Sequence, residues 1–497
     1  MSGVYEQLRT RIREIGQLSA VEAMLEWDQE TYMPRNGLSA RAEQLALVAQ
    51  LAHERRTSQE VGELLAQLDG NIQDEAAATN VRETRRNYER ATRVPAELVG
   101  RIARVAAGAR EAWKSAREAS QFSLFAPHLT ELLELKREVA DRIGFVEHRY
   151  DALLDEYEPG ATRSRIAGVF DGLRRPLIEL TRRLGEARVQ PDPSILERHY
   201  PAEAQSRFAR MLAETIGFDF KSGRLDISVH PFCSGTSPGD VRLTTRFNER
   251  SFSSGIFGVL HEAGHGLYEQ GLDPEHSFTP RGLAVSLGIH ESQSLMWECM
   301  IGKSHVFWEH FYPQCQQTFP EALKSVPLNA FVAAANAVRP SFIRVEADEV
   351  TYSLHIILRF ELESAMIEGS LDVDDIPEAW NAKFESLLGI RPETDKDGCL
   401  QDIHWSTGTF GYFPTYSLGK LNAAQFFAAA RSAMPDMDER IRRGEFATLR
   451  EWLRENVHCH GQRYRADELV RRVTGQSLSS EPFLKYVRNK YEAIYGL

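Results

Sequence analysis

Cysteine is scarce: five occur in 497 residues (Cys233, Cys299, Cys315, Cys399 and Cys459), an odd number with no Cys-x-x-Cys pair. A disulfide framework is thereby excluded, and a reduced, cytoplasmic chain is expected. Long apolar runs are missing too. The longest, Val326 to Val338, falls short of the ~20 residues a membrane span requires and contains Asn329 and Asn336. The opening stretch MSGVYEQLRTRIREIG has no apolar core of the kind a secretion signal carries. Positive charge is not in excess. The formal net charge of −12 argues against nucleic acid or an anionic membrane as partner. Arg-rich stretches at 82–104 and 440–472 alternate with Glu and apolar residues at helical spacing, so they read as solvated helix faces. No repeat, low-complexity tract or long linker divides the chain, and residues 1–497 read as one domain.

What is present is helical periodicity. Apolar residues recur at three- and four-residue spacing from Val4 onward, interrupted by Pro/Gly turns such as Pro159-Gly160 and Pro191 to Pro193. One stretch departs from it. Between Leu225 and Phe247, Ile227/Val229 and Val241/Leu243 alternate around a Gly/Ser/Pro turn, which predicts a small β-hairpin. The expected fold is all-α with that hairpin beside the site.

The hairpin leads into Ser254 to Gln270, SGIFGVLHEAGHGLYEQ. Histidines four apart on a helix share a face, so His261 and His265 can reach one metal ion. Glu262 is beside the first of them and can reach a water at that ion without binding it. The plain alternative is an amphipathic helix with two incidental histidines. Against it, Phe257, Leu260, Gly264 and Leu267 make the helix mostly apolar, and buried imidazoles need a partner.

A catalytic zinc usually takes three protein ligands. Glu269 is about 12 Å along the axis from His261, too far to share an ion. Tyr268 and Gly271 stand where a metzincin needs Gly and His. A carboxylate on the next helix remains, either Glu291 or Glu298.

Five ordered motifs carry a family resemblance: His230-Pro231-Phe232, Asp240 to Thr244 (DVRLT), His261 to His265, His290 to Gln293 (HESQ), and Gly398 to Trp405 (GCLQDIHW). Each is similar to its counterpart in the carboxypeptidase Taq family, as are Ile343 to Glu349, Gly411 to Tyr416 and Lys490-Tyr491. The resemblance spans essentially the whole chain. It implies a two-lobed helical body with a deep groove, like neurolysin and angiotensin-converting enzyme, commonly a homodimer. It also implies a metal-dependent carboxypeptidase of broad specificity acting on peptides with a free C-terminus. Zinc, or cobalt in the same site, would be held by His261, His265 and Glu291, with Glu262 as general base. His404, Tyr412 and Tyr416 are candidates to donate to the developing oxyanion, and the related helical peptidases favour Tyr416.

A free carboxylate calls for a guanidinium. Arg344, in apolar surroundings, is the expected partner, with an ion pair to Asp348 or Glu349 as the structural alternative. Arg242 and His230 would shape the groove end and Tyr412 its wall. His355 resembles a family position, and a satisfied core histidine is at least as good a reading. Two rivals share parts of this pattern: another HExxH peptidase, endo- or amino-acting, and a non-catalytic helical protein with a structural metal. The latter would need a fourth Cys or His ligand, and neither Cys233 nor Cys299 is suitably spaced.

Overall fold

A serine opens each of the two helices that meet at the motif. Ser251 Oγ accepts from the Ser254 amide at 3.2 Å, starting the helix Phe252–Gly271. Ser286 Oγ accepts from the Ile289 amide at 3.2 Å, starting Leu287–Leu295. These caps satisfy amide donors that a helix leaves unpaired at its start. The second helix runs straight into a π-helical turn, Met296–Gly302, where an ordinary α-helix was expected.

The computed structural model describes residues 3–68, 70 and 72–497, and most of them are helical. No described helix is long and apolar enough to cross a membrane. The chain forms two compact units, each assembled from three separated stretches. The first comprises 1–92, 192–335 and 422–477; the second comprises 93–191, 336–421 and 478–497.

In the first unit, Tyr5, Leu8 and Ile12 of the N-terminal helix are buried with Val61, Leu64, Leu65, Ala77 and Val81. Under the motif helix, Phe252 and Phe257 pack against Trp308, and Phe252 also meets Phe319 and Phe331. Burying each such ring is worth roughly 1.5–3 kcal/mol, so this aromatic floor holds the helix in place.

The sheet has three strands rather than a lone hairpin. They are β1 (Gly223–Ile227), β2 (Cys233–Ser237) and β3 (Asp240–Thr245), in the order β1-β3-β2. The hairpin is β2-β3, and β1 lies parallel to β3, so the expected antiparallel pairing of its two apolar strands is corrected. The reason lies in Ser228 to Phe232, which cross from one edge of the sheet to the other. Thr244 Oγ1 accepts from the Phe232 amide at 2.9 Å and pairs with Ser228 Oγ at 2.8 Å, pinning the crossing.

In the second unit, helix Tyr352–Glu368 is buried nearly all round. Its Glu363 is fully enclosed and ties a loop at both ends: Oε1 accepts from Trp405 Nε1 at 2.9 Å, and Oε2 accepts from the Gly411 amide at 3.1 Å and Tyr150 Oη at 2.7 Å. Gly411 is required there, because its φ is +86° and a Cβ would sit 2.7 Å from the Leu153 carbonyl carbon.

Burial raises Glu363 to about 7, against the lowering by its three donors. The folded state therefore favours the protonated acid. Its contribution to stability is complete below the ordinary carboxyl value and is lost as pH rises through about 7. Against Glu363→Gln, which cannot titrate, the wild-type protein should lose on the order of 3 kcal/mol between pH 4 and 8. Urea denaturation of both proteins across that range measures it; parallel pH profiles would remove Glu363 as the cause.

Candidate active site

Within the first unit the two capped helices bring three ligand atoms together. Glu291 Oε2 lies 3.6 Å from His261 Nε2 and 3.4 Å from His265 Nε2, and all three ligand atoms fall within 4.8 Å of one another. Two ligands on a tetrahedral zinc, each at 2.0–2.1 Å, stand about 3.3–3.4 Å apart. Both distances from Glu291 are close to that value.

Each imidazole is turned by a partner on its other nitrogen. His261 Nδ1 donates to Glu298 Oε2 at 2.9 Å, and Glu298 is held in turn by Lys303 Nζ at 2.6 Å. His265 Nδ1 faces the His290 carbonyl oxygen at 3.2 Å and His290 Nδ1 at 2.6 Å. His290 Nε2 meets Glu269 Oε1 at 2.7 Å. Acceptors on the Nδ1 side leave both Nε2 lone pairs aimed at the common point. Glu298, the competing carboxylate in the sequence, lies in the π turn and meets His261 on the nitrogen away from the cluster.

The charges also ask for a cation. Burial alone would lower His261, but Glu291, with Glu298 and Glu262, raises it to about 10. Burial and then the neighbouring His290 lower His265 to about 4. Burial works to raise Glu291, yet the two imidazoles hold it below the ordinary carboxyl value. The cluster is thus built for a positive charge among carboxylates. Glu262 is buried, hydrogen-bonds no described residue, and is raised to about 7, chiefly by burial. A carboxylate so placed can take a proton from water and give it back.

Gly264 makes the helix approach possible. A Cβ there would stand 2.6 Å from the Gln293 carbonyl oxygen and 2.6 Å from Ser294 Cα. Both obstacles are backbone, so Gly264→Ala should push the helices apart, cost about 1–3 kcal/mol as overpacking does, and weaken metal binding. Thermal melting with metal titration tests this; unchanged metal affinity would mean that the helix spacing does not set the site.

The other expected residues fall in two places. Arg242, on β3, pairs through both nitrogens with Asp240 at 2.9 and 3.0 Å and lies over the Trp27 ring; His230 is exposed. In the second unit, Arg344 is buried but pairs with neither Asp348 nor Glu349. Its Nε donates to Asp402 Oδ1 at 2.9 Å, and Nη1 donates to Tyr352 Oη at 2.8 Å. Asp402 also takes Arg359, at 2.7 Å from Nε, and Gln401 Oε1 accepts from Arg359 and from the Arg344 amide. Two guanidiniums thus share one carboxylate. Asp402 is held well below the usual range, because Arg359 and Arg344 outweigh burial.

The Arg344 guanidinium lies over the Tyr416 ring, whose neighbours are Tyr412 and Tyr352. His404 packs at a tilt against Phe413 and Tyr412, and burial lowers it to about 4, so it is neutral near pH 7. His355 is fully buried with neither ring nitrogen hydrogen-bonded, so it is a core histidine but not a satisfied one. Sequence reasoning assigned no role to Glu269, Lys303, Arg359 or Asp402. For Asp402 a signal existed, since it lies inside the Gly398 to Trp405 motif; the other three belong to no such pattern.

Comparison with known proteins agrees with this chemistry. The family model described as carboxypeptidase Taq (M32) metallopeptidase matches residues 7–491. Thermostable carboxypeptidase 1 of Thermus thermophilus is 46% identical over 505 residues, covering 99% of each chain. Carboxypeptidase 1 of Bacillus subtilis is 38% identical, covering 98% of this chain and 97% of that one. The crystal structure of an M32 carboxypeptidase from Deinococcus radiodurans R1 superposes with a TM-score of 0.97 at 39% identity, over 100% of both chains. Family match, full-length relatives, fold and a His-His-Glu cluster beside a free carboxylate agree: the chain belongs to the carboxypeptidase Taq (M32) family of metallopeptidases and is a carboxypeptidase, a peptide hydrolase.

Proposed function

We propose that the protein removes residues singly from the free C-terminus of peptides, with broad side-chain tolerance, using zinc held by His261, His265 and Glu291. The observation that carries this reading is the convergence of those three ligand atoms next to the uncommitted carboxylate of Glu262. Cobalt suits the same donors. When bound, the ion supplies Lewis acidity toward the scissile carbonyl and makes water a nucleophile near neutral pH.

The protein's own groups do the rest. Glu262 takes the proton of the attacking water and returns it to the leaving amine. Tyr416 donates to the developing oxyanion, with neutral His404 and Tyr412 completing that wall. Arg344 takes the substrate carboxylate. In support, one carboxylate, Asp402, is shared between Arg344 and Arg359, which leaves a positive charge there for an incoming anion. Arg242 and His230 shape the end of the groove. The working form is a cytoplasmic homodimer.

A free-acid peptide and its C-terminal amide separate this reading from an endopeptidase-like use of the same centre. Losing a charge-assisted, two-pronged contact should lower kcat/KM for the amide by about 10²-fold or more. Equal rates for the two peptides would overturn the carboxylate role.

A further inference from the structure

Apart from the metal cluster, the first unit contains a cavity of about 230 Å³. A cavity of about 150 Å³ takes benzene, and pockets for drug-sized ligands begin near 300 Å³, so this one suits a molecule the size of a single amino acid. Much of its wall is apolar, with Ile12, Ile15, Leu272 and Phe278 contributing. Two charged groups share that wall. Arg56, at the end of helix Leu38–Arg56, is partly buried and has neither a hydrogen bond nor an ion pair among the described residues. Burial lowers its pKa, and only the charge of Glu22 opposes this. The second charged group is Glu269. Its Oε1 is engaged by His290, while Oε2 leans over Gly235, 3.3 Å from where a Cβ would stand.

We infer that this cavity binds a free α-amino acid with an apolar side chain, the class of molecule a carboxypeptidase releases. Arg56 receives the carboxylate, Glu269 the ammonium, and the apolar wall the side chain. The ligand's zwitterion matches the one unengaged cation and the one partly engaged anion among the described lining residues, and a partly buried charge gains from a partner. The cavity is coupled to the metal centre through named contacts. Glu269 holds His290, and His290 abuts the ligand imidazole of His265. An ammonium drawn to Glu269 competes with His290 for that carboxylate and loosens what orients His265. Accumulated product therefore lowers kcat from outside the substrate-binding positions.

Calorimetry of the metal-loaded protein with L-leucine tests this, alongside 4-methylpentanoate, which lacks the ammonium, and 3-methylbutylamine, which lacks the carboxylate. Saturable leucine binding is expected, with each analogue weaker by about tenfold or more. Arg56→Gln should weaken leucine by a similar factor while hydrolysis of a peptide free of apolar residues is unchanged. In the wild-type protein, leucine should lower kcat at saturating substrate. Ile15→Trp, which fills the cavity without touching the charge, should abolish both effects. Absence of saturable heat, wild-type leucine affinity in both variants, or purely competitive inhibition would each overturn the proposal. Peptide hydrolysis in the same samples reports separately on the metal chemistry.

Discussion

Glu262→Gln is expected to lower kcat by about 10³-fold while leaving metal content and melting temperature close to wild type. The carboxylate is buried, hydrogen-bonds no described residue, and lies outside the three-atom ligand cluster. Its removal as a base therefore costs neither a metal bond nor a structural contact. The amide keeps the shape and forfeits only proton transfer, so KM should change little. Metal analysis and steady-state kinetics on one preparation decide it. A variant that loses its metal would make Glu262 a ligand; one that keeps activity would remove it from the chemistry.

The converse pattern is expected for Glu291→Ala. Its Oε2 is the atom common to both short contacts with the histidines, so its loss removes the oxygen donor and most of the charge that a divalent ion would meet there. Metal affinity should fall by more than about 10³-fold, and activity with it, since removing a group that only orients a ligand already costs about 10–100-fold. Glu298→Ala supplies that smaller loss and so serves as the control. Helical content should survive both changes, because the aromatic floor under the motif helix does not involve either carboxylate. Should Glu298→Ala prove the more damaging to metal content, the assignment of the third ligand would reverse.

How much of this was legible in the chain depends on whether a local pattern encodes it. His261, Glu262 and His265 are fixed by helical spacing alone. Glu291 and Glu298 could not be separated by spacing, because Glu298 lies in a π turn that no apolar periodicity marks, while Glu291 precedes it on the α-helix. The sheet was visible as alternation, but its pairing depends on Thr244 and Ser228 meeting across a crossing that alternation does not describe. Arg344 was conspicuous as a charge in apolar surroundings. It was expected to receive the substrate carboxylate, with Asp348 or Glu349 as the structural alternative; its ion-pair partner within the chain is instead Asp402, with Arg359 on the other side of the same carboxylate. Side-chain networks joining distant stretches leave no periodic trace.

Interleaving in the two units has a consequence for biosynthesis. Each unit needs a stretch from near the end of the chain, and the second is completed only by residues 478–497, which include helix Glu481–Tyr495. Tyr495 Oη accepts from the Val338 amide at 2.7 Å, and Lys490 and Tyr491 reach Glu349 at 2.8 and 2.9 Å. A ribosome must therefore deliver the stretch 422–477 before the first unit can close and 478–497 before the second can, and the growing chain keeps apolar surface uncovered until then. Stop codons even a few turns early should yield aggregation rather than a shortened enzyme.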